Sequence, residues 1–99
     1  MIELGGNIEL IGFKELDKGT FTIIKKMVGL FVKKISSQIN SFQKLSITLK
    51  KVHETENSAI YNFMAKLSAD KIYNAESEGR NIFVEFDNVL KKLENSIKK

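Results

Sequence analysis

The fold is decided by residues 44–67, KLSITLKKVHETENSAIYNFMAKL, where two runs of alternating apolar and polar residues flank a polar segment. In the first run, Leu45, Ile47 and Leu49 point to one side, and residues 61–67 repeat the alternation. A period of two residues is typical of strands with one buried face. The polar segment suits a turn. The stretch therefore predicts an antiparallel hairpin with a turn over residues 53–58.

The segment before this hairpin predicts a strand and a helix. Ile8 to Phe13 is the expected first strand, and Ile2 to Leu4 is the alternative for its register. Asp17 or Thr20 can cap the helix that follows, which we expect to end near Asn40. Steps of three and four residues indicate its apolar face, which consists of Phe21, Ile24, Val28, Phe31, Ile35 and Ile39.

The segment after the hairpin predicts one more strand and a second helix. Tyr73, Ala75 and Ser77 alternate inward along the strand, and Asn81 can cap the helix. The order β-α-β-β-β-α predicts an α+β fold, in which two helices pack on one face of a four-stranded sheet. The 99 residues fit a single domain. The apolar face of the last helix consists of Ile82, Phe86, Val89, Leu90, Leu93 and Ile97.

The positive charge of the chain is segregated. The net charge is +4, and residues 20–52 contain seven lysines and no acidic residue. A segregated basic surface is typical of proteins that bind polyanions, although a solvated lysine surface without a partner is the alternative. The candidate residues for binding a polyanion such as a nucleic acid are the helical lysines that lie away from the buried faces: Lys25, Lys26, Lys33, Lys91, Lys92 and Lys99.

The sequence offers little for catalysis. Cysteine is absent, and the single histidine, His53, falls in the predicted turn. A metal site needs several ligands brought together, and a nucleophile needs a neighbouring base. We therefore expect a binding protein rather than an enzyme, without a metal or cofactor.

Composition also bears on location. The lack of cysteine agrees with a reducing compartment. The sequence has no apolar run near the length of a membrane span and no signal-peptide pattern at its N-terminus. We expect a cytoplasmic protein that does not contact membranes and is a monomer or a weak homodimer.

Residues 74–93, NAESEGRNIFVEFDNVLKKL, resemble the ribosome hibernation-promoting factors, also called the ribosome-associated inhibitor or sigma-54 modulation family. The chain is similar to the short form of that family, whose fold has the same element order. Asn81 replaces a capping aspartate of the family, and Asn95 stands where an arginine is usual. The positions that match the family pattern are Ala75, Ser77, Glu78, Phe83, Phe86, Asp87, Lys92 and Leu93.

The resemblance implies binding to the small ribosomal subunit where tRNA and mRNA would otherwise sit. Translation would be repressed by occupancy, under stress or in stationary phase, through basic residues on the helical side. Few aromatic residues fall on the predicted outer faces, which argues against base stacking and favours recognition of phosphate and shape. The competing hypothesis is a protein-interaction module that uses the open sheet face, with Met64 and Ile72 at its apolar centre.

Overall fold

A computed structural model of the protein describes residues 2–4, 7–39, 41–55 and 58–98. The predicted α+β class and the order β-α-β-β-β-α are confirmed, with one short strand added at the start. The elements are β1 (Ile2–Leu4), β2 (Ile8–Ile11), α1 (Lys18–Ile35), β3 (Lys44–Thr55), β4 (Ser58–Ser68), β5 (Ile72–Gly79) and α2 (Ile82–Lys98).

The strands form one mixed sheet in the order β1-β2-β3-β4-β5. β2 and β3 are parallel, as a strand–helix–strand crossover through α1 requires, and the other neighbours are antiparallel. Strand β1 pairs with β2, so that Ile2 lies opposite Leu10. Both N-terminal segments that competed for the first strand are therefore strands, and β1 is an edge strand beside the predicted four.

The two helices cover one face of the sheet and share its core. Phe31 and Ile35 of α1 and Phe86 and Leu93 of α2 belong to the same buried cluster as the inward residues of β3 and β4. The predicted common core is thus confirmed. At its centre, the ring of Phe63 lies 6.1 Å from that of Phe13 and 5.2 Å from that of Phe86.

Side-chain caps fix where both helices begin. Asp17 accepts hydrogen bonds from the Thr20 amide at 3.3 Å and the Thr20 hydroxyl at 2.6 Å, so Asp17 is the cap of α1. Asn81 accepts from the amides of Phe83 and Val84 at 3.0 and 3.1 Å. These bonds satisfy amides that lack a partner within the helix.

Three predicted boundaries are wrong. Strand β2 ends at Ile11 rather than at Phe13. Helix α1 ends at Ile35 rather than near Asn40, which lies outside the described residues. After the helix end, the amides of Gln38 and Ile39 both bond to the carbonyl of Ile35, so the chain continues as a turn rather than as a regular helix. Ile39 still packs against the core from the following segment, which explains why the apolar spacing continues past the helix.

The turn predicted over residues 53–58 is also shorter than expected. Strand pairing continues to Thr55 opposite Ser58, after a register shift between Lys51 and His53. Residues 56 and 57 lie outside the described part of the chain, as do the side chains of residues 53–58. The polar composition indicated a loop, but backbone pairing extends the hairpin whatever the side-chain polarity.

Candidate nucleic-acid interface

Helix α1 presents lysines on the side away from the sheet. Ile24, Val28 and Phe31 are buried, whereas Lys26 and Lys33 fall almost opposite them and are exposed. The helix contains no acidic residue. Neither Lys26 nor Lys33 forms an ion pair with any described residue, so their charges are not neutralised locally.

Lys25 lies on one flank of α1. Its Nζ atom is 5.5 Å from the centre of the Phe21 ring, within the range of a cation–π contact. The side chain remains exposed and carries no ion pair with the described residues. Lys25, Lys26 and Lys33 therefore form the α1 lysine face, a set of three exposed cations on one helix.

The lysines of α2 are held differently. The ammonium of Lys91 lies 3.0 Å from the carboxylate of Asp87, four residues earlier. Lys92 donates to the backbone carbonyl of Glu76 on β5 at 2.8 Å. The two side chains extend from α2 in different directions, one toward α1 and the other toward the β5 edge. Lys99 lies outside the described residues.

A buried carboxylate joins the ends of the two helices. Glu94 of α2 is only 8% exposed and lies 3.1 Å from the ammonium of Lys34 on α1 and 3.6 Å from that of Lys98. Gln38 donates to the same carboxylate at 3.3 Å. The hydrogen bond from Lys34, with smaller contributions from Gln38 and Lys98, lowers the pKa of Glu94 despite its burial.

The lysines of the two helices do not form one uninterrupted basic surface. Glu94 and Asp87 place two carboxylates between the α1 lysine face and the lysines of α2. Sequence analysis did not single out Glu94. The available signal was its position four residues after Leu90 and four before Lys98, at the border of the buried face.

The open face of the sheet carries both signs of charge. Lys44 is ion-paired with Glu9 of β2. Asn62 donates to Glu76 at 2.7 Å and to Glu78 at 3.4 Å, which holds two carboxylates on this face. A polyanion therefore meets more carboxylates on this side than on the α1 lysine face.

The apolar centre expected on the open face is divided. Met64 lies opposite Glu76, whereas Ile72 lies opposite Ser68, four residues farther along β4. The row of Lys66 and Asn74 falls between them. A shallow depression of about 530 Å³ surrounds Met64, but Ile72 does not line it.

Nothing in the described part of the chain indicates a metal centre, since no group of three or more His, Asp or Glu side chains comes together there. Neither described helix is long and apolar enough to cross a membrane. No family model matches the chain, and no curated protein is similar enough to match it.

Proposed function

We propose that this protein is a cytoplasmic RNA-binding protein that binds structured RNA of the small ribosomal subunit and represses translation by occupying it. The α1 lysine face, Lys25, Lys26 and Lys33, would provide the principal phosphate contacts. Lys91, on the side of α2 toward α1, would add one contact, and Lys92 would add another at the β5 edge. The proposal joins the resemblance of residues 74–93 to the charge distribution of the folded domain.

The observation that carries the proposal is that no carboxylate neutralises the lysine charges on the outer side of α1. The three lysines of the α1 lysine face have no carboxylate on their own helix and no ion pair with the described residues. Phosphate binding releases condensed counterions only where protein cations are available to replace them. The α1 lysine face meets that condition better than Lys91, which Asp87 already neutralises in part.

Lysine chemistry also suits this kind of target. An ammonium group contacts phosphate without strict geometry, so a set of lysines can follow the shape of folded RNA. Both helices carry lysine and no arginine, so phosphate would be contacted by point charges rather than by bidentate guanidinium groups. Occupancy of the subunit needs no catalytic group.

The test is co-sedimentation with small ribosomal subunits in a sucrose gradient. The double variant K26E/K33E should lose association while keeping its far-UV spectrum, because both side chains are exposed and unpaired. The matched control is K50E/K66E, which makes the same charge change with two exposed lysines of β3 and β4. If the control loses association and K26E/K33E keeps it, the binding surface is the open sheet face.

Salt dependence provides a second measurement. Three phosphate contacts predict a log–log slope near −2.7 with the duplex coefficient, or roughly a 40-fold fall in affinity between about 50 and about 200 mM salt. Replacing Lys33 with glutamine should make the slope shallower by about one unit. Binding that barely changes with salt, and is lost in Met64→Lys, would favour the protein-interaction module.

A further inference from the structure

Helix α1 has a second apolar stripe, of which only Met27 packs partly against the core. Ile23, Met27 and Leu30 follow one another at spacings of four and three residues, and Met27 and Leu30 lie on the flank of α1 that faces α2. Ile23 is 47% exposed and Leu30 is 70% exposed. Scattered exposed apolar residues are ordinary, but an ordered set along one helix flank indicates a contact surface.

This stripe borders a groove between α1 and α2. Phe31 and Leu90 form its apolar base, and Met27 and Leu30 line one wall. The groove has a volume of about 250 Å³, room for one or two large apolar side chains. Such grooves commonly receive an amphipathic helix that inserts residues spaced one turn apart.

The charges around the groove select among possible occupants. Asp87 and Glu94 lie at its rim, and both are already ion-paired with lysines. Lys26 and Lys33, on the outer side of α1, have no such partner among the described residues. The four charges that line the groove balance, because two lysines stand against the two carboxylates. Within the described part of the chain, the uncompensated charge beside the groove is that of Lys26 and Lys33, which lie about one turn before and one turn after Leu30 on α1. This excess of positive charge favours an occupant with acidic flanks and disfavours a second copy of this chain, whose net charge is +4.

We infer that the groove between α1 and α2 binds an amphipathic helix of a partner protein, with apolar residues facing Leu30 and Leu90 and acidic residues facing Lys26 and Lys33. RNA phosphates would leave the apolar stripe exposed, whereas a helix would bury it. Because the acidic flank would use two lysines of the α1 lysine face, the partner would also displace RNA from that face. Binding of the helix does not depend on the RNA proposal.

The test is a titration of isotope-labelled protein, followed by amide chemical shifts, with designed helical peptides. The peptides carry leucines at positions i, i+4 and i+7, and either glutamates or lysines on their flanks. The glutamate series should shift the amides of Leu30, Phe31 and Leu90 and bind at least about tenfold more tightly than the lysine series. Leu30→Gln should weaken binding at least about fivefold without lowering the melting temperature, since Leu30 is mostly exposed.

Ile72→Gln is the matched control, because Ile72 is 61% exposed but lies on the open sheet face. It should leave peptide binding unchanged. The inference is overturned if no glutamate peptide shifts the groove amides, or if both peptide series bind equally. It is also overturned if Leu30→Gln abolishes binding to phosphatidylcholine–phosphatidylserine vesicles or dissolves a dimer in sedimentation, since the occupant is then a membrane or a second copy.

Discussion

Two glycines of this chain should respond in opposite ways to the same substitution. Gly12, between β2 and α1, has φ of +84°, a conformation that side chains disfavour. A Cβ atom there would overlap the backbone carbonyl oxygen of Leu49 and lie 3.3 Å from its carbon. Gly29 lies on the exposed side of α1, and a Cβ atom there would meet nothing within 4 Å.

The two costs of Gly12→Ala add. The left-handed backbone costs an alanine about 1–2 kcal/mol. Relieving the overlap requires the backbone of β3 beside Leu49 to move, and inserting an extra methyl group into a packed site costs roughly 1–3 kcal/mol more. We expect unfolding free energy to fall by about 2–5 kcal/mol, which corresponds to a melting temperature at least about 8 °C lower in a domain of this size.

Gly29→Ala is the matched control. Alanine in an exposed helix interior is favoured over glycine by about 0.5–1 kcal/mol, so the melting temperature should rise by a few degrees. Urea unfolding and thermal melts followed by circular dichroism measure both changes. A loss below about 1 kcal/mol in Gly12→Ala would refute the assigned backbone geometry, given the costs above.

Two further outcomes concern the core and the helix junction. Phe63→Ala should lower the free energy of unfolding measured in urea by about 3–5 kcal/mol, because Phe63 is fully buried between two aromatic rings. Ile72→Ala is the control and should change the free energy of unfolding by no more than about 0.5 kcal/mol. Equal losses in the two variants would contradict the core assignment. Lys34 lowers the pKa of Glu94 in the folded state, so the ionised carboxylate stabilises the fold at pH values above its unfolded pKa. This stabilisation is lost as pH falls through the folded pKa. Unfolding free energy measured from neutral into acid pH should therefore fall less steeply in Glu94→Gln, and an unchanged curve would show that the contact is energetically silent.

The sequence predicted the order β-α-β-β-β-α and the buried faces, whereas the edge strand β1 was present only as an alternative for the first strand. Alternation at Leu45, Ile47 and Leu49 and the helical spacing of Ile24, Val28 and Phe31 each predict which side chains are buried, and these predictions are confirmed. Such patterns predict burial reliably because the direction of each side chain along a strand or helix is set by local backbone geometry. The same geometry placed Lys26 and Lys33 on the exposed side of α1.

Element ends were less predictable. Ile39 continues the apolar spacing although the helix stops at Ile35, because a residue outside a helix can still pack on the core. The polar residues 53–58 indicated a turn, but β3 and β4 pair almost to its centre. In both places a contact with another part of the chain overrides the local pattern.

Which charges meet, and which apolar residues remain exposed, depends on how elements far apart in the chain pack together. Glu94 contacts Lys34 from another helix, and Lys92 contacts the backbone of β5. The exposure of Leu30 likewise depends on how closely α2 approaches α1. These partners are far apart in the chain, and the distance between two helices is set by the packing of both on one sheet, so no local spacing in the sequence encodes them.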